Sequence, residues 1–234
     1  MQSGIVFSIE SRNDAKLNQI RETVSLPDEV EEDHLKLGLD IVNTAETADG
    51  REAQIGQAAS EQLSESETIR INESGISRYV SEDVTAQYTE FVSLPGSFVA
   101  VDSRAGGFAI DLINKYTPVQ ARPSKLDLEE YLTNLKAEKA ESLDTWKIGF
   151  YGGHGLADNG VVHGSSLLND GDLGDILDSN RKNQLGIEYE YNGEALNIFV
   201  AESGYVEIYQ PNNFGSGKFS EFVDGEIEPY LIPE

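Results

Sequence analysis

The feature that most constrains the fold is a hairpin signal in the C-terminal half of the chain. Asn192-Gly193 is typical of a type I′ turn, which needs φ > 0 at both central residues. Apolar residues alternate with polar ones on both sides of this turn: Ile187, Tyr189, Tyr191, Leu196, Ile198 and Val200. A second turn at Ser203-Gly204 leads into another alternating segment. The sequence therefore predicts a three-stranded antiparallel meander over residues 187–208.

Helical spacing of apolar residues predicts several amphipathic helices elsewhere. Leu17, Ile20 and Val24 recur at that spacing after a potential N-cap at Asn13 or Asp14. Further helices are expected at residues 108–116, at 128–135 after a capping box of Ser124 and Asp127, and at 218–223. Residues 45–66 contain few large apolar side chains, so a loop or an exposed helix is expected there. The expected fold class is therefore mixed α+β.

The expected domain organisation is one compact unit over residues 1–234. A subdivision into residues 1–80 and 81–234 is the alternative that this length allows. The first residues have neither a basic n-region nor a long apolar h-region. No stretch approaches the ~20 apolar residues of a membrane span. These features predict a cytoplasmic protein that does not enter a membrane.

The chain has 42 acidic and 17 basic residues, a formal net charge of -25. The acidic excess is spread evenly along the chain instead of being concentrated in one block, which argues against a DNA mimic. An ordinary acidic protein is a further alternative. At molar salt the Debye length falls to ~3 Å, so dense surface carboxylates repel one another little and keep a protein hydrated. The charge pattern therefore favours a salt-adapted organism.

The sequence contains no catalytic or cofactor-binding signature and no standard metal motif. Tyr151–Gly155 is rich in glycine but matches neither the P-loop nor the dinucleotide fingerprint. His154 and His163, with Asp158 between them, could approach one another across a hairpin and hold a metal. This set defines the alternative function, a metal-assisted hydrolase.

Only two groups of basic residues offer enough positive charge to meet phosphates. Arg181-Lys182 is the only adjacent pair, and Lys136, Lys139 and Lys147 form a looser group. If the two groups converge on one face, they predict a small DNA-binding patch within the acidic surface.

The order of elements over about residues 76–224 resembles the recombination-associated RdgC family. The resemblance is carried by the strand–turn–strand of residues 91–102, Pro118, residues 126–132, 159–162 and 185–208, and by Phe219–Asp224. It implies a non-enzymatic protein that binds double-stranded DNA as a ring-shaped dimer and restrains recombinase loading. It transfers no site residue to this chain.

Together these features favour a non-enzymatic binding or accessory protein that uses no cofactor. Its partner is expected to be an unknown protein or DNA, the latter in recombination or mobile-element biology. A homodimer is among the alternatives.

The acidic excess generates a prediction about stability. We expect the melting temperature to rise steadily from low to molar KCl, because screening removes repulsion between surface carboxylates. Thermal melts followed by circular dichroism across this range measure the effect. A melting temperature that does not rise with KCl would contradict salt adaptation.

Overall fold

Antiparallel β-strands form most of the chain in the computed structural model. The structure describes residues 1–10, 15–25, 34–73, 75–154, 157–169, 171, 174 and 180–234. Among the described residues, strands account for 57% and helices for 21%. The predicted α+β class with several amphipathic helices is therefore wrong, and the chain is a mainly β protein.

The strands of the described residues are β1 Ser3–Ile9, β2 Ile20–Ser25, β3 His34–Glu46, β4 Glu52–Asn72, β5 Gly75–Leu94, β6 Phe98–Val101, β7 Ala121–Leu126, β8 Asp144–His154, β9 Ala157–His163, β10 Arg181–Tyr191, β11 Glu194–Ala201, β12 Tyr205–Gln210 and β13 Leu231–Pro233. The α-helices are α1 Gly107–Tyr116, α2 Leu128–Glu138 and α3 Ser216–Phe222. Turns of π-helix at Val223–Ile227 and of 3-10 helix at Glu228–Tyr230 follow α3. None of these helices is long and apolar enough to cross a membrane.

The strands form one sheet in the order β2-β3-β4-β5-β6-β1-β12-β11-β10-β8-β9, and β7 and β13 branch from it. The first strand is central, because it pairs with β6 on one side and with β12 on the other. Its last residues also pair with β7, which in turn pairs with β13.

Two apolar layers cover opposite faces of the sheet. On one face, Ile110 and Ile113 of α1 pack with Phe91 and Val101 in one cluster. On the other face, α2, α3 and the turn after α3 contribute to a larger cluster with the alternate residues of β10 and β11. The two clusters are built by the period-2 alternation of side chains along the strands.

The predicted meander is confirmed. Residues of β10 pair with β11 and residues of β11 pair with β12, both antiparallel. Asn192 and Gly193 have φ of 50° and 80°, as the type I′ turn requires. The helices expected near residues 108–116, 128–135 and 218–223 are also present.

Three local predictions are wrong. Ile20–Ser25 forms an edge strand paired with β3 instead of a helix, and the expected caps Asn13 and Asp14 lie outside the described residues. Residues 52–66, expected as a loop or helix, belong to the long strand β4. The predicted capping box with Ser124 as the N-cap is also wrong, because Ser124 is buried in β7. Asp127 is itself the N-cap of α2, and its carboxylate accepts hydrogen bonds from the backbone N–H groups of Glu129 and Glu130.

The alternative subdivision at residue 80 does not coincide with a break in the sheet. β5 runs through residue 80 and pairs with β4 from Gly75 to Ser93. Dividing the chain there would separate residues that are hydrogen-bonded to the same neighbouring strand.

The approach of β4 to its neighbours generates a prediction about Gly56. A Cβ atom at this position would lie 2.6 Å from the carbonyl oxygen of Asp40 in β3 and would also overlap the ring of Phe91. We expect Gly56→Ala to lower the free energy of unfolding by about 1–3 kcal/mol, as overpacking of a core does. Gly107→Ala is the matched control, because nothing lies within 4 Å of its Cβ position. Denaturant unfolding of both variants measures the difference, and equal stabilities would contradict the tight packing.

Candidate interaction arm

The longest hairpin of the sheet, β4–β5, extends beyond its neighbouring strands. The pairing of β3 with β4 ends at Leu37 and Ser60, whereas β4 and β5 remain paired as far as Asn72 and Gly75. In the described part of the chain, no third strand pairs with residues 61–86, which we call the arm. At about 3.3 Å per residue, the arm extends for roughly 40 Å.

The two faces of the arm differ in chemistry. Residues directly opposite one another across the two strands point to the same face. One face, which we call the apolar face, carries six large aliphatic side chains, all exposed: Leu63, Ile69, Ile71, Ile76, Val80 and Val84. The other face is rich in hydroxyl and amide groups, including Ser66 and Ser81, whose hydroxyls are 2.8 Å apart. Tyr79 is its one exposed large hydrophobic side chain among the described residues.

The aliphatic side chains of the apolar face are strongly exposed. Ile71 is 81% and Ile76 is 72% accessible, and both lie at the tip of the arm. Two-stranded hairpins are at best marginally stable alone in water, because they cannot bury a face. Contiguous exposed apolar patches on proteins mark interaction sites. The arm is therefore the strongest candidate for a binding surface.

Charge is distributed unevenly along the arm. Residues 69–80, the tip, contain Arg70 and Arg78 against the single acid Glu73, a net charge of +1 in a chain of net charge -25. The stem, residues 61–68 and 81–86, contains five acids and no base: Glu61, Glu65, Glu67, Glu82 and Asp83. At the tip, Arg78 contacts Glu67 at 3.3 Å, and the Arg70 guanidinium lies 5.4 Å from the centre of the Tyr79 ring.

A groove of about 410 Å³ lies at the base of the arm. Its floor includes the small residues Gly38, Ala59 and Ala86, with Tyr88 beside them. The strand register places Gly38, Ala59 and Tyr88 on the same side of the sheet as the apolar face. The arm and the groove therefore form one continuous open surface.

An ion pair shapes the rim of this groove. The Arg21 guanidinium donates to both carboxylate oxygens of Asp40 at 2.6 Å. These hydrogen bonds lower the pKa of the Asp40 carboxyl below its usual value. Glu61, also at the rim, accepts a hydrogen bond of 2.7 Å from the backbone N–H of Lys36.

The structure does not bring the five predicted DNA-binding residues onto one face. Arg181 is paired with Glu202. The Lys182 side chain is buried beneath α2, and its ammonium lies 2.9 Å from Glu129. Lys182→Glu would therefore place two carboxylates together at a buried position, which makes this substitution unsuitable as a surface probe.

The three other lysines lie on opposite sides of the sheet. Lys136 and Lys139 lie at the end of α2, on the face of the sheet that α2 and α3 cover. The Lys147 ammonium lies 4.2 Å from the centre of the Phe199 ring. Phe199 alternates along β11 with Ile198 and Val200, which are buried on the face covered by α2 and α3. Phe199, and with it Lys147, therefore lies on the opposite face.

The predicted metal set receives no support from the backbone. Register pairs His154 with Ala157 at the closed end of the β8–β9 hairpin and His163 with Lys147 at the other end. At about 3.3 Å per residue, roughly 20 Å separates the two histidine positions along the hairpin. One Zn²⁺ binds its histidine nitrogens at about 2.1 Å, so both side chains would have to reach the same point. No cluster of metal-ligating side chains occurs among the described residues.

A sequence signal for the arm exists and was missed. Between residues 76 and 88, apolar residues occupy Ile76, Val80, Val84 and Tyr88, and every odd position except Tyr79 is a serine, threonine, aspartate or glutamine. This pattern also fits a helical period of four, and the interleaved Arg78 and Glu82 obscure the alternation. In β4, glutamates occupy half of the positions on the apolar face, so that the sequence of this strand does not show an apolar face.

Comparison of the chain with protein-family models, with curated proteins and with solved structures finds no match. The resemblance in element order to the RdgC family stays a prediction.

A second group of titratable side chains lies in the larger core. The hydroxyl of Tyr189 is 3.5 Å from that of Tyr131 and 3.5 Å from the Glu226 carboxylate. Burial raises the pKa of both tyrosines well above the usual value, so they stay neutral. Both rings are 1% exposed, which leaves no access for a substrate. We interpret this group as part of the core.

Glu226 generates a prediction about pH. Burial raises the pKa of its carboxyl, Lys139 opposes this shift and Glu138 adds to it. A raised pKa in the folded state contributes stability at low pH that is lost as the pH rises through the folded pKa. At pH 7 we therefore expect Glu226→Gln to raise the melting temperature, and in a chain of this length each kcal/mol gained corresponds to about 2–4 °C.

Thermal melts between pH 4.5 and pH 8 measure this effect, and the gain should shrink towards the acidic end. Glu141→Gln is the control, because it removes one carboxylate from an exposed position near the end of α2. A gain that is independent of pH, or equal in both variants, would contradict the assignment.

Proposed function

We propose that this chain is a non-enzymatic assembly protein that holds an acidic protein partner with the apolar face of its arm. The observation that carries the proposal is the set of six exposed aliphatic side chains on one face of a ribbon with no third strand. Burial of apolar surface is the main driving force of protein association, at roughly 25 cal/mol per Å². The opposite face offers mainly hydroxyl groups and contributes little to such burial.

The charge of the arm favours an acidic protein over DNA. Arg78 lies on the apolar face next to the two isoleucines of the tip, and Arg70 lies on the polar face against Tyr79, so the tip offers one cation on each face to an acidic surface with an apolar centre. The stem carries only acids, which would lie against phosphates if the arm entered a DNA groove. Non-specific DNA affinity depends on neutralising phosphates with lysine and arginine. A crosslink to DNA in the test below would therefore contradict this proposal.

Photo-crosslinking in the native cytoplasm or in a lysate at molar KCl tests the proposal. One variant carries a photo-reactive amino acid in place of Val80, on the apolar face. The matched control carries it in place of Ser81, the next residue, on the polar face at nearly the same distance from the tip. We expect crosslinks to one acidic protein, identified by mass spectrometry, from position 80 and at least about tenfold fewer from position 81, because only the apolar face is covered.

A second comparison shows whether the crosslink depends on the tip. Adding Ile71→Glu and Ile76→Glu to the position-80 variant should abolish the product, because two charges would then face an apolar contact. The proposal is wrong if both positions crosslink alike, if the product contains nucleic acid, or if neither position gives a product.

A further inference from the structure

We infer that the partner of the arm is a second copy of this chain, and that the two arms pack antiparallel with each tip in the groove of the other copy. This inference rests on the proposed function. A second copy is an acidic partner by composition, since each chain has a net charge of -25. It also presents, on one continuous side, the apolar face and the small-residue groove next to it. A surface that contains both a protrusion and a recess can complement itself around a two-fold axis.

The strand register indicates how the tip would fit the groove. We call each pair of directly opposite residues of β4 and β5 a rung. On the apolar face, the last rung of the tip is Ile71 opposite Ile76, and the rung at the base is Ala59 opposite Tyr88. Placing the two isoleucines of one copy on Ala59 and Tyr88 of the other covers the most exposed side chains of the arm with one small residue and one exposed aromatic ring at the base. Small residues at the floor leave room for branched side chains, as in the packing of large against small residues in cores.

The same register produces a specific ion pair. One rung inward from the tip lies Arg78, and one rung outward from the base lies Glu61. Antiparallel packing therefore brings Arg78 of each copy beside Glu61 of the other copy, so that Arg78 lies between this carboxylate and Glu67 of its own arm. By symmetry this contact occurs twice. The next rung, Glu67 opposite Val80 in one copy, meets Leu63 and Val84 of the other, so the apolar contact continues at Val80 beside the Glu67 carboxylate.

The centre of this arrangement carries like charges. Glu65 lies directly opposite Glu82 on the apolar face, midway between the tip and the base. In the antiparallel dimer this rung faces itself across the two-fold axis, so four carboxylates approach one another. Screening at molar salt reduces their repulsion, because the Debye length falls from ~8 Å at 0.15 M to ~3 Å at 1 M. The dimer should therefore form at high salt and weaken at low salt.

The size of the contact sets the expected affinity. A ribbon roughly 40 Å long and about 10 Å wide has a footprint of roughly 400 Å². This is about half of the ~800 Å² that a standard specific interface buries on each partner, and it is typical of weak, reversible contacts. We expect a reversible dimer with a Kd on the order of micromolar at molar KCl.

Sedimentation or light scattering of the whole chain between about 1 and 100 μM, in 0.15 M and in molar KCl, measures the oligomeric state. We expect a dimer at molar KCl that weakens at low salt. Ile71→Glu with Ile76→Glu should give a monomer. Thr68→Glu with Ser77→Glu adds the same charge to the polar face near the tip and should leave the dimer intact. Circular dichroism verifies that each variant is folded.

A charge-swap experiment tests both the partner and the register. It uses Glu65→Gln with Glu82→Gln as the background, so that the dimer forms at about 0.15 M KCl, where ion pairs are less screened. Sucrose preserves the fold there without adding ions. In this background, Arg78→Glu alone and Glu61→Arg alone should each weaken self-association by about tenfold, because two like-charge contacts replace two ion pairs. An equimolar mixture of the two variants should form a heterodimer at nearly the background affinity, because both contacts are then attractive.

The inference is overturned if the native chain stays monomeric at 100 μM in molar KCl, or if the mixed variants associate no better than each alone. The crosslink from position 80 separates this failure from that of the proposed function. A crosslink to a different acidic protein would refute the second copy as the partner and leave the assembly function intact. Absence of any crosslink together with a monomer would refute both.

Discussion

The fold depends on the pairing of the first strand with both halves of the sheet. β1 pairs with β6 on one side and with β12 on the other, so residues about 200 positions apart in the sequence are hydrogen-bonded neighbours. Loop-closure entropy makes such contacts slow to form, although its cost grows only logarithmically with length. Once β1 is in place, β2–β6 and β8–β12 belong to one continuous sheet, and the helices can pack against its two faces. The arm is held by the same ladder, because β5 is anchored through β6 to β1.

The local sequence was sufficient to predict elements whose pattern had a single interpretation. The hairpin at Asn192-Gly193 was predicted correctly, since its turn type needs residues that tolerate φ > 0. The pattern of Leu17, Ile20 and Val24 predicts a helix instead, because three apolar residues at spacings of three and four fit a helical stripe. In the fold, Leu17 and Ile20 are buried in the α1-covered cluster, and β3 supplies the hydrogen-bonding partner that makes Ile20–Ser25 a strand. No local pattern reveals that partner.

The candidate site was harder to predict than the fold, for a physical reason. Binding surfaces on β-ribbons have no core to impose strict alternation, so charged residues such as Glu65 and Arg78 are tolerated between apolar ones. The basic residues, in contrast, predicted a DNA-binding patch that the structure does not form. Adjacent charges in the sequence, such as Arg181 and Lys182, point to different faces of a strand, and each is paired with its own acid in the structure. Proximity in the sequence therefore says little about a charged patch on a sheet.

The acidic composition and the arm are connected through salt. At low ionic strength the stem repels itself, because Glu65 and Glu82 lie directly opposite one another and like charges across a strand pair are destabilising. Two such arms would add to that repulsion when packed together, whereas their isoleucine tips would still favour burial. Salt leaves the apolar contribution and screens most of the repulsion, so in our proposal the ion concentration that is expected to stabilise the chain also permits its association. In this view the carboxylates of the stem do more than keep the protein hydrated, because they limit assembly to the ionic conditions in which the chain is stable.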